Sequence, residues 1–131
     1  MVEKKIIIKL PSGTWLRITG KLKRVVKVSG KSKKRRQAVS YTLIGESLDR
    51  PPRMSSEPVD VFYVSSGSIT KYILRILDED IKGTIIIEPL NPSVYTVKIY
   101  KDKITASRIK KIAEEMKIVR HPRKTKTSKA S

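Results

Sequence analysis

A chain of 131 residues carrying 30 Lys and Arg against 12 Asp and Glu, formal charge +18, is long enough for one compact domain or two very small ones. Such self-repulsion is best tolerated beside a polyanion. The absence of cysteine excludes disulfides, thiolate zinc sites and cysteine nucleophiles, and the apolar run Ile6 to Ile8 is too short for a signal segment or a membrane span, so a soluble, cytoplasmic protein is expected.

Residues 4–10 read as a first strand, ended by the turn residues Pro11, Ser12 and Gly13. Residues 14–28 read as one long strand or two, with Gly20 as a bulge or corner. Trp15, Arg17 and Thr19 share one side there, and Leu16 and Ile18 the other. After a basic loop, residues 37–46 alternate again, Val39, Tyr41 and Leu43 against Ser40, Thr42 and Ile44. Antiparallel strands around a turn and a long loop predict a half-barrel or curled sheet. Residues 47–58 contain Pro51, Pro52 and Pro58, which cannot run through an element interior, and mark a connector.

Residues 59–64 read as a short strand. Ile69, Tyr72, Ile73, Ile76 and Leu77 then share one helical face, which predicts a helix over residues 69–80 with Ser68 as N-cap; their β-branched content makes a strand the rival. Gly83 closes that region, and residues 84–88 and 93–100 read as strands joined through Pro89, Leu90, Asn91 and Pro92. Residues 105–117 form the better helix, with Ile109, Ile112, Ala113 and Met116 on one face and Arg108, Lys110 and Lys111 outward. Ile118 and Val119 offer a last short strand. The expected fold class is α+β: a β-rich basic half (residues 1–46), the connector (47–58), an α/β half (59–119) in the β-α-β-β-α order of ferredoxin-like RNA-binding folds, and a basic tail (120–131).

The charge is polarised along the chain. Residues 1–46 carry 13 basic and 2 acidic side chains, residues 47–104 carry 8 of each, and residues 105–131 carry 9 and 2. The loop holds Lys31, Lys33, Lys34, Arg35 and Arg36 with no apolar residue among them. The tail holds Arg120, Arg123, Lys124, Lys126 and Lys129, has almost nothing to bury, and is expected to be disordered alone. A solvated face is the bland alternative for both. Arg17, Lys21, Lys23, Arg24, Arg108, Lys110 and Lys111 on the folded body complete the expected phosphate-binding set, the arginines able to fork onto phosphates or stack on bases. If about eight such side chains each neutralise one phosphate, log K falls with log salt at a slope of roughly −6 to −7.

Catalytic candidates are few. His121, the single histidine, precedes Pro122 inside the basic tail, a poor setting for a general base. Asp78, Glu79 and Asp80 offer carboxylates to a hard cation, but no further ligands follow at loop spacing, and a solvated helix end or a contact with Lys82 is the plainer reading. The common nucleotide-binding and hydrolase motifs do not occur. Ser65, Ser66, Gly67 and Ser68 ahead of a helix come nearest to a phosphate cradle, an ordinary capped turn being the alternative. Trp15, Tyr41, Tyr95 and Tyr100 would stack on unpaired bases if they faced outward, and pack in the core otherwise. No catalysis, cofactor, metal or small-molecule substrate is expected.

No zinc finger, basic zipper, helix-turn-helix, RNP motif or G-x-x-G loop is visible. The stretches Gly13-Thr14-Trp15-Leu16-Arg17-Ile18, Tyr41-Thr42-Leu43-Ile44-Gly45 and Asp49-Arg50-Pro51-Pro52 resemble the small β-rich basic proteins found as lineage-specific components of archaeal ribosomes, over the first 52 residues. The resemblance implies a ribosomal RNA partner, neighbouring ribosomal proteins and a structural role, and supplies no site residues. One Asn (Asn91) and one Gln (Gln37) beside abundant Lys and Ile match the bias of hyperthermophile proteins. The expected function is RNA binding within a ribonucleoprotein, most simply the ribosome. Its rivals are a thermophile chromatin or viral DNA-binding protein, an accessory subunit of a nucleic-acid enzyme, and a protein-binding scaffold.

Overall fold

A computed structural model of the chain describes residues 4–28 and 36–121. In chain order the elements are β1 (Lys4–Lys9), β2 (Trp15–Val28), β3 (Arg36–Leu48), β4 (Asp60–Ser65), α1 (Ile69–Leu77), β5 (Gly83–Asn91), β6 (Val94–Tyr100), α2 (Lys103–Glu115) and β7 (Val119–Arg120). The strands form one open mixed sheet in the order β3-β2-β1-β5-β6-β4-β7, and the fold is α+β.

Three consecutive isoleucines decide where β1 goes. Alternation sends Ile6 and Ile8 to one face and Ile7 to the other, and all three are buried, so the strand needs cover on both sides. A central position supplies it. β1 pairs antiparallel with β2 and parallel with β5, whose own run pairs Ile85 with Ile6, Ile86 with Ile7 and Ile87 with Ile8. The N-terminal strands, expected as an antiparallel half-barrel or curled sheet, are antiparallel, and β1 to β3 continue the same open sheet that β4 to β7 build.

Helices α1 and α2 cover one face. Ile69, Tyr72, Ile73 and Ile76 from α1 and Ile109, Ile112 and Ala113 from α2 meet Ile6, Ile8, Ile85, Ile87, Val97 and Ile99. The helix reading of this segment is right, although α1 stops at Leu77 and Ser68 makes no side-chain cap bond. At its C-terminal end, Lys4 Nζ donates to the carbonyl oxygens of Ile76 and Leu77 in α1 and of Glu79 just beyond it, at 2.8, 2.9 and 2.6 Å. Asp102 caps α2, accepting from the amides of Ile104 and Thr105 at 2.9 and 3.3 Å. The opposite face carries a smaller cluster of Ile7, Ile86 and Tyr100, packed with Trp15, Leu48 and Met54, the last from the proline-containing segment 49–59.

Boundaries differ from expectation where pairing overrides local composition. Gly83, at φ +133, opens β5 rather than closing a helix, and a Cβ there would lie 3.3 Å from the Tyr100 carbonyl oxygen. β5 runs on through Pro89 and Leu90 to Asn91, with a register shift between Pro89 and Asn91, so the turn to β6 shrinks to Pro92 and Ser93. Arg120, expected in the tail, pairs with Tyr63 in β7.

Candidate nucleic-acid interface

The β2–β3 pair outreaches the rest of the sheet. β1 pairs only with residues 15–18 of β2, whereas β3 pairs with β2 to its end, where Val28 faces Arg36. Residues 20–28, at ~3.3 Å each, project about 26 Å beyond the sheet as a two-stranded ribbon.

A bulge sets which side chains lie on which side of that ribbon. Ile18 faces Gly45 and Gly20 faces Ile44, so Thr19 is an extra residue on β2, and its Oγ1 donates to the Ile44 carbonyl at 3.2 Å. Gly45 permits the approach, because a Cβ there would stand 3.0 Å from the Arg17 carbonyl oxygen. Alternation on β2 inverts at the bulge. Arg17 lies on the face away from the helices, opposite Glu46, while Lys21 and Lys23 lie on the helix side with Leu43 and Tyr41. Leu22 and Arg24 then share the other side with Thr42 and Ser40.

Lys21 is the anchored member of the set. Its Nζ sits 2.5 Å from the Asp78 carboxylate and 4.8 Å from the centre of the Tyr41 ring. Lys23 and Arg24 are exposed, one on each side. Lys31, Lys33, Lys34 and Arg35 lie outside the described residues, and Arg36 is described only as the backbone partner of Val28.

The second basic group is divided. Arg108 does not point freely outward: its Nε and Nη2 both reach Glu79 Oε1 at 2.8 Å, and Arg75 takes Glu79 Oε2 at 2.8 Å. The acidic turn is thus engaged by this protein's own cations, though by Lys21, Arg75 and Arg108 rather than Lys82. The hydrogen bond from Arg108 holds the Glu79 carboxyl below the usual carboxylate range, and that from Lys21 does the same for Asp78. Lys110 is half-buried and Lys111 exposed on α2. Arg120 is exposed on β7, the sheet edge opposite the ribbon, while Arg123, Lys124, Lys126 and Lys129 lie outside the described residues.

The topology also gathers three cations that lie outside the expected phosphate-binding set. Lys82 precedes β5, and Lys101 and Lys103 follow β6, at adjacent strand ends beside the start of β1. All three are exposed, and the Lys82 carbonyl accepts from Thr105 Oγ1, tying that loop to α2. The ribbon leaves the sheet at this same end. Their signal was hidden because they lie in the segment whose total charge is zero.

Of the aromatic candidates, Tyr95 and Tyr100 are buried, Trp15 is half-buried against the smaller cluster with Lys9 Nζ 5.7 Å from its ring centre, and Tyr41 alone among them is exposed. The serine-rich turn ahead of α1 is a 3-10 turn in which Ser66 Oγ donates to the Pro92 carbonyl at 2.8 Å. Among the described residues no cluster of three His, Asp or Glu side chains is placed to hold a metal ion, and no helix is long and apolar enough to cross a membrane. A cavity of about 410 Å³ lies under segment 49–59, lined by Trp15, Pro51, Met54, Glu88, Lys98 and Tyr100, with Lys98 and Glu88 paired at 3.1 Å. No family model matches the chain, and neither characterised proteins nor solved structures give a significant match.

Proposed function

We propose that the chain is an RNA-binding structural protein of a ribonucleoprotein, working in the cytoplasm by laying cationic elements along RNA phosphates. The N-terminal resemblance favours the archaeal ribosome, with neighbouring ribosomal proteins as further partners. One observation carries the reading. Nine basic residues and no acidic one lie between Gly20 and Gln37, and five of them, Lys21, Lys23, Arg24, Lys27 and Arg36, stand on the strand pair that extends past the reach of β1. A charge run spread over a solvated face needs no such reach. The finer fold reading, a ferredoxin-like unit, is supported by the order β5-β6-β4-β7 with antiparallel neighbours and helices after β4 and β6.

The projecting ribbon also favours a second reading. A two-stranded ribbon fits the major groove of B-form DNA, whereas the A-form major groove of RNA is too narrow to be read that way. On the RNA reading the ribbon therefore lies among single strands, loops and helix surfaces. Titration of the full chain with a folded RNA and with duplex DNA of equal length, over a salt series, separates the two. Tighter RNA binding is expected, with K23E/R24E flattening the salt slope by about 1.5. Tighter binding to the duplex DNA would transfer the function to DNA, and no binding to either at low salt would end both readings.

A further inference from the structure

We infer that the bound RNA encloses the projecting ribbon on both of its faces, so that apolar side chains carry affinity alongside the cations; this rests on the functional reading above. Leu22 and Ile44 are 50% and 45% exposed on one face, and Val25, Val39 and Tyr41 are 51%, 48% and 41% exposed on the other. A sheet with one wet face turns its apolar side chains to the other. This ribbon does so on neither side, and the body reaches it only at its base on the helix side, through Leu43 and Lys21. An isolated strand pair is only marginally stable in water, so exposure of this kind on both faces calls for an occupant on both.

The chemistry of the ribbon names that occupant. Lys23 stands across from Tyr41, Arg24 across from Ser40 and Leu22 across from Thr42, so each face alternates apolar groups with cations or hydroxyls. That surface matches a ligand presenting flat bases and sugars between phosphates. A second copy of the chain is a poor occupant, because it would bring its own charge of +18. Lys21, held by Asp78, lies against the Tyr41 ring and orders it before RNA arrives, which lowers the cost of binding.

The test uses full-length L22S/I44S for one face and V25T/V39T for the other, which leave the charge unchanged. Each pair is expected to weaken binding to a folded RNA about tenfold, with an unchanged salt slope, and the four substitutions together about a hundredfold. Thermal unfolding checks that the variants remain folded. Full affinity in either pair overturns the inference while the functional reading stands. Loss of a co-purifying protein with RNA affinity intact overturns it in favour of a protein partner. Failure of the unaltered chain to bind RNA removes both.

Discussion

At Lys117 the backbone takes φ 59, a left-handed conformation that costs a side-chain-bearing residue energy. It is held there because it ends α2: the Lys117 amide donates to the Glu114 carbonyl at 3.0 Å and the Ile118 amide to Ala113 at 3.1 Å, which lets Ile118 turn back into the core. K117G relieves the strain without touching a contact of the core. It is expected to stabilise the protein by about 0.5–1 kcal/mol, measured by urea denaturation. Tyr72 shows the opposite economy, a fully buried hydroxyl whose single bond, 2.6 Å to the Ile109 carbonyl, ties α1 to α2, and burial pushes its ionisation above the usual tyrosine range. Periodicity announced Tyr72 as a core residue, but nothing in the chain nearby pointed to Ile109.

The elements are tied at the turn after α1, where Glu79 joins Arg75 of α1 to Arg108 of α2 and Asp78 joins the helix end to Lys21 of the ribbon. Both carboxyls ionise below their unfolded values, the first through Arg108 and the second through Lys21. A depressed carboxylate contributes stability that is fully present above the unfolded value, about 4, and is lost as pH falls through the folded value. Melting temperature is therefore expected to drop on the acid side below about pH 4. In E79Q that acid limb flattens, and the variant melts lower than the unaltered protein at neutral pH. A melting profile of E79Q that parallels the unaltered protein from neutral to acid pH would show that the turn is not the origin. Arg108 was expected among the phosphate contacts on the strength of its outward position along α2, yet its partner comes from another element, and helical spacing carries no record of it.

For the whole molecule, the parallel pairing of β1 with β5 makes the two halves one structure. Ile6, Ile8 and Ile18 are buried by residues that lie far along the chain, while Ile7 shares a cluster with Ile86 and Tyr100. Unfolding should therefore be a single cooperative event. Trp15 fluorescence reports the face away from the helices and far-ultraviolet circular dichroism reports α1 and α2, and their urea midpoints are expected to coincide. Two separated transitions would mean that residues 1–46 and 59–119 hold together independently.

The sequence by itself determined the local pieces: the α2 stripe of Ile109, Ile112 and Ala113, the α1 stripe of Tyr72, Ile73 and Ile76, the strand alternation, and the polarised charge. Those follow from periods of two and 3.6, which neighbours in the chain can spell out. Only the tertiary structure decided that three isoleucines place β1 at the centre of the sheet, that one extra residue at Thr19 turns Lys21 and Lys23 to the side opposite Arg17, and that Lys82, Lys101 and Lys103 gather where the ribbon departs. The reason is common to all three. Each depends on which distant strand is chosen as a partner and in what register, and that choice is made by burial over the whole sheet.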